Sequence, residues 1–92
     1  MLLGCAHAGV VNTLRCVRRL AGEQAIHAVI GGMHLHAASA RRLEVTADAL
    51  RELAVPVIAP AHCTGSEPTA LLAAAFPAAY AECHAGSRFR FD

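Results

Sequence analysis

An α/β fold built of repeated strand–helix units is the architecture this sequence predicts, on three observations. Short apolar, strand-like runs begin at Met1, Ala25 and Val55. Each is followed by a stretch with apolar residues at helical spacing. Each junction between the two carries glycine and a histidine. Strand–helix units in series imply βαβ crossovers, which lay neighbouring strands in one sheet.

The first run, Met1 to Cys5, ends in Gly4-Cys5-Ala6-His7-Ala8-Gly9. Val10, Leu14, Val17 and Ala21 then share one helical face, with Arg15, Arg18 and Arg19 on the others, and Gly22 is the expected stop. The second unit starts with Ala25-Ile26-His27-Ala28-Val29-Ile30, a short β-branched signal expected to end at Gly31-Gly32. After Met33-His34-Leu35-His36, Ser39 is the candidate N-cap of a helix whose dry side is Leu43, Ala47, Leu50 and Ala54. The third strand is expected over Val55 to Pro60, with Pro56 near its start. Ala61-His62-Cys63-Thr64-Gly65 follows, then a helix entered at Ser66 or Glu67 before Pro68, with an apolar stripe of Leu71, Leu72, Ala75 and Phe76, ended by Pro77. Ala79 to Cys83 and Ser87 to Phe91 read as extended, separated by a bend at Ala85-Gly86. The strict alternation of Arg88, Phe89, Arg90 and Phe91 suits a strand with one wet face.

Composition limits what such a chain can do. Of 92 residues, 55% are hydrophobic and only 16% charged, and the mean hydropathy is +0.42. A domain this small cannot hide that much apolar surface alone. Cover by a partner is therefore expected, either a second copy or a missing part of the same fold. The formal charge of +1 gives no field to draw nucleic acid. Three Phe, one Tyr and no Trp make no base-stacking platform. No apolar run reaches the about 18–20 residues that cross a bilayer, and no secretory signal is read at the start. The four cysteines, without export, point to a reduced cytoplasmic chain.

Position makes the histidines interesting. His7, His34 and His62 each follow a strand-like run and precede a helix. The carboxyl ends of strands in an α/β sheet are where ligands bind. Three imidazoles delivered to one rim could meet a single ion, and catalytic zinc typically keeps three protein ligands plus water.

The neighbourhoods add to this. Gly4-Cys5-Ala6-His7-Ala8-Gly9-Val10-Val11-Asn12, Gly31-Gly32-Met33-His34-Leu35 and Pro60-Ala61-His62-Cys63-Thr64-Gly65 together resemble three ordered motifs of the metallo-β-lactamase superfamily. The branch concerned includes enzymes similar to dihydropterin–ribofuranosylaminobenzene phosphate synthase. The resemblance covers nearly all of the chain. It implies half of an αββα sandwich, a mixed sheet with helices on one face, and makes residues 1–92 the C-terminal half of such a domain. It places His7 in the third metal motif and His62 in the fifth, with His34 as a third or bridging ligand where the superfamily more often has aspartate. The implied cofactor is zinc, one or two ions, with manganese or iron as alternatives. The implied chemistry is hydrolysis of a phosphoester or acyl group, or a related transfer, through metal-activated water. The superfamily's H-x-H-x-D-H motif has no match, since His34-x-His36 lacks the following Asp and His. The chain thus carries parts of a site, to be completed by self-association or by a complementary N-terminal half.

Other residues admit more than one role. Asn12 could cap the first helix or touch a small, phosphorylated substrate, and Thr64 could bond a substrate phosphate or start the next helix. Cys5 and Cys63, flanking two of the histidines, are soft zinc ligands, redox-sensitive thiols or small buried residues. His36 is a substitute ligand or a solvated loop residue, His27 a strand residue facing core or partner, and His84 a possible ligand only in an oligomer. The acidic side chains fall on helices, or on the tail at Glu82 and Asp92, so no general base stands out. Beside the hydrolase stands a non-catalytic metal-binding module that self-associates. A nucleotide-binding βαβ protein is disfavoured, because neither G-K-[ST] nor G-x-G-x-x-G occurs.

Overall fold

The computed structural model describes residues 1–91; Asp92, expected on the tail, lies outside the described residues. Three strand–helix units follow in order: β1 (Leu2–Leu3), α1 (Val10–Leu20), β2 (Ala28–Gly32), α2 (Ala40–Glu52), β3 (Val57–Ala61), a 3-10 turn (His62–Thr64) and α3 (Ser66–Ala75). The strands pair in the order β1-β2-β3, all parallel, where a mixed sheet was expected. Both crossovers step the same way across the sheet, so right-handed connections put α1 and α2 on one face. There α1 touches α2, and α2 touches α3.

That face holds the core. Val29 of β2 and Ile58 of β3 are fully buried against Val10 and Leu14 of α1, Leu50 of α2 and Leu72 of α3. The expected stripes of α1 and α2 hold at their centres. On α3 the stripe narrows, with Leu72 sealed in while Leu71 is 39% exposed. Ser39 caps α2 as expected, its hydroxyl accepting from the Arg42 N–H at 3.1 Å. Asn12 does not cap α1, whose N-cap is Gly9. Its amide instead donates to the Ala8 carbonyl at 2.8 Å. No helix is long and apolar enough to cross a membrane among the described residues.

Two strand boundaries moved. β2 starts at Ala28, so His27 is an exposed residue ahead of the strand, and Gly31-Gly32 lie within it. The glycines are in the ladder because β1 passes too close for anything else. A Cβ on Gly31 would fall 2.1 Å from the Leu3 carbonyl oxygen. β3 starts at Val57 and includes Pro60. This is tolerated because Ile58 turns its N–H and C=O outward to Ala79 and Ala81. Pro60, two residues on, therefore faces the same outer edge, where its missing N–H costs the β2 ladder nothing.

The tail departs from expectation. Among the described residues of the tail only Tyr80 bridges to the sheet, at Ile58, and residues 88–91 form no strand. The outer edge of β3 is already occupied by residues 79–81, and alternation selects a face without supplying a partner strand. Beyond the turn closed by Ser87 N–H to the His84 carbonyl, Phe91 lines a shallow groove with Met1, Ile26 and Ala28 and stays 59% exposed.

Candidate functional site

Because the strands are parallel, their carboxyl ends share one edge, and each of the three junctions opens there. At this rim the backbone is strained in a repeating way. Among the described residues, five that are not glycine adopt the left-handed region: Ala6 (φ 53°), Glu23 (62°), His34 (52°), Ala54 (50°) and His62 (53°). Ala54 ends α2 in the ordinary manner, its own N–H bonded to the Arg51 carbonyl and that of Val55 to the Leu50 carbonyl. Glu23 likewise closes onto Arg18 beyond α1. Ala6, His34 and His62 end no helix. Each lies within three residues of the end of a strand, at a cost on the order of 1 kcal/mol. Such strain persists only where surrounding contacts hold it.

The rim histidines fall into two groups. His7 and His34 face each other with ring centroids 4.6 Å apart, and His36 stands edge-on to His34 at 5.2 Å. All three are exposed and line one cavity of about 500 Å³ together with Asn12, Ser39 and Arg42. His62 lines a different cleft, with Glu82, Cys83 and His84. Its ring nitrogen groups instead with sulfur: the donor atoms of Cys5, His62 and Cys63 all lie within 4.8 Å of one another. The expectation that His7, His34 and His62 converge on one point is corrected accordingly. Among the described residues, the set of three metal-ligating side chains so close together contains one histidine and two cysteines.

The two groups sit on interlocked loops. The His36 N–H donates to the Cys63 carbonyl at 3.3 Å. Gly65 lies so near His36 that a Cβ there would come within 2.9 Å of its Cα. The Cys63 thiol donates to the Cys5 carbonyl at 3.5 Å. Its proximity to the Cys5 sulfur, by hydrogen bond first and then burial, pushes the Cys5 thiol pKa upward. Thr64 is corrected too. It is fully buried, and its hydroxyl accepts from Met33 N–H and donates to the Ala61 carbonyl. It holds the loop and presents no face to a substrate. Asn12, by contrast, does line the His7 cavity.

Two features escaped sequence reasoning. Arg42 belongs to the cavity wall, though it lies off the dry side expected of its helix; its place three residues after the Ser39 cap puts it in the first turn, beside the rim. The pairing of Cys5 with Cys63 was visible only as two cysteines, each close in sequence to a rim histidine.

No protein-family model matches the chain. Over 88 residues, 96% of this chain, it is 34% identical to 7,8-dihydropterin-6-methyl-4-(beta-D-ribofuranosyl)-aminobenzene-5'-phosphate synthase of Methanocaldococcus jannaschii, covering 30% of that protein. The backbone matches the crystal structure of Tm1679, a metal-dependent hydrolase of the β-lactamase superfamily, with a TM-score of 0.89 and 31% sequence identity. That match takes in 98% of this chain and 35% of the other. The chain thus spans about a third of the length of each. Its fold is that of a part of a metallo-β-lactamase-superfamily domain.

Proposed function

We propose, from the fold shared with the metallo-β-lactamase superfamily, that this chain is the C-terminal half of the metallo-β-lactamase-like domain of a metal-dependent hydrolase acting on a small, anionic phosphoester or acyl substrate. The observation that carries the reading is the His7–His34 pair, 4.6 Å apart in a rim cavity at the carboxyl edge of the sheet. The donors fit a borderline-soft ion such as zinc, since imidazoles and thiols suit it better than they suit magnesium or calcium. His7 and His34 would hold it, His62 serving a second ion on the adjoining loop. Bound there, zinc supplies a water of lowered pKa and polarises a phosphoryl or acyl oxygen. The chain's own contribution is orientation and charge. Arg42 stands on the cavity wall, and the first turns of α1 and α2 open onto it, an arrangement that favours an anionic group.

Among the described residues no carboxylate lines this cavity. A group to orient the attacking water therefore comes from elsewhere in this reading, from a complementary N-terminal half or a second copy of the chain. The helix-free sheet face supports such a partner, with Leu2 82% exposed and Ile30 and Val57 half-buried beside it. A cytoplasmic location accords with four free thiols.

The same lack of a carboxylate in the cavity favours a second reading: a metal-holding module without turnover. Elemental analysis, combined with hydrolysis of a generic phosphodiester by the zinc-loaded protein, separates the two. The enzyme reading expects turnover lost in His7→Ala and His34→Ala. Zinc held without turnover supports the module. Zinc content unchanged in His7→Ala, His34→Ala and His62→Ala removes the basis of both.

A further inference from the structure

The geometry points to a soft-cation site formed by Cys5, His62 and Cys63, which takes a thiophilic ion such as Zn²⁺ or Cd²⁺ using this chain's residues alone. Their donor atoms already lie within 4.8 Å of one another. Around a tetrahedral ion, sulfur and nitrogen donors stand about 3.3–3.8 Å apart, from bond lengths of about 2.0–2.3 Å. Closing that gap takes side-chain rotation of about 1 Å, with the backbone left in place.

Three features of the fold make the cluster. Cys5 lies two residues beyond β1, and His62 and Cys63 occupy the turn directly after β3. These strands are not neighbours, because β2 runs between them. Gly32, the last residue of β2, leaves the gap open. A Cβ there would stand 3.0 Å from the Cys63 sulfur and 3.3 Å from the Cys5 Cα. Any side chain at this position would fill the space through which the two cysteines approach. The turn itself is fixed from three directions, by Thr64 to Met33 and Ala61, by Cys63 to the His36 N–H, and by the Cys63 thiol to Cys5. Half-buried thiols and an exposed imidazole give an ion both shelter and a way in. Two thiolates would neutralise a divalent charge, and sulfur selects against magnesium, calcium and manganese. Three protein donors leave the fourth tetrahedral position to water.

This site shares His62 with the hydrolase reading but needs neither His7 nor His34, so the two can fail separately. The test is titration of the reduced protein with Cd²⁺ alone, following sulfur-to-cadmium charge-transfer absorption. The band should saturate with one thiolate-bound equivalent, unaffected by excess Mg²⁺, and that ion should protect two of the four thiols from alkylation. Cys5→Ser and Cys63→Ser should each weaken binding by more than about 100-fold, since loss of an outer-shell partner alone costs about 10–100-fold. Cys16→Ser, His7→Ala and His34→Ala should leave the absorption band intact. The proposal is overturned by a band that survives Cys5→Ser or Cys63→Ser, by one that disappears in His7→Ala, or by a wild-type protein whose thiols cadmium does not protect.

Discussion

The Met33 N–H donates to the Thr64 hydroxyl at 3.1 Å across 31 positions of sequence, and that hydroxyl donates onward to the Ala61 carbonyl at 2.8 Å. One fully buried side chain thus ties the loop after β2 to the loop after β3, each carrying a rim histidine. Thr64→Val keeps the shape and strands a buried N–H. It should lower stability by about 1–3 kcal/mol in urea denaturation, while Thr64→Ser retains most of it. A Thr64→Val protein as stable as wild type would mean that the loops are held by other contacts.

Gly32→Ala should be more damaging than its single methyl suggests. The added Cβ would stand 2.3 Å from the Gly4 carbonyl oxygen, a backbone atom that cannot rotate away. Forcing β1 and β2 apart is overpacking, with a typical cost of about 1–3 kcal/mol. The midpoint of chemical denaturation checks this. Unchanged stability would show that β1, only two residues long, moves aside freely.

At His34 the expectation is a difference between two variants. Both His34→Gly and His34→Ala delete the imidazole, but only glycine accepts φ of 52° without steric penalty. His34→Gly should therefore exceed His34→Ala in stability by about 1 kcal/mol, with both losing the His7 partner ring and metal binding in the rim cavity. Equal stabilities would mean that the loop relaxes out of the left-handed region once the ring is gone.

The sequence carried the strand–helix order, the three helices and the Ser39 cap, because each rests on local periodicity or on a side chain's bond to its own segment. Gly31-Gly32 read as a strand end because a doublet of glycines usually breaks a strand; the approach of β1 that makes them necessary inside β2 is not a local property. The alternating residues 88–91 failed for a similar reason, since pairing depends on a free sheet edge. The site shows the same division. That His7, His34 and His62 share a rim follows from unit order. Which of them face one another depends on loop conformation, and the left-handed backbone at His34 and His62 has no signature in residue type. Thr64 was misjudged because its hydroxyl's partners, Met33 and Ala61, become apparent only once the loops are packed.

The remaining prediction concerns the helix-free sheet face. The strand register pairs Leu2 with Ile30 and Ile30 with Ala59, so these side chains point to the same side. That side is opposite Val29 and Ile58, which face the helices. Leu2 is 82% exposed there, on an edge strand. A second copy laid on this face would remove that apolar surface from water, at roughly 25 cal/mol per Å². The wild-type protein should accordingly show a mass in solution that rises with concentration toward a dimer or higher oligomer. Leu2→Glu should shift it to monomer while changing monomer stability by no more than about 0.5 kcal/mol, as for other exposed positions. Sedimentation velocity over a concentration series measures this. A wild-type chain that stays monomeric throughout would leave self-association without support, and the complementary N-terminal half as the proposed cover for this face.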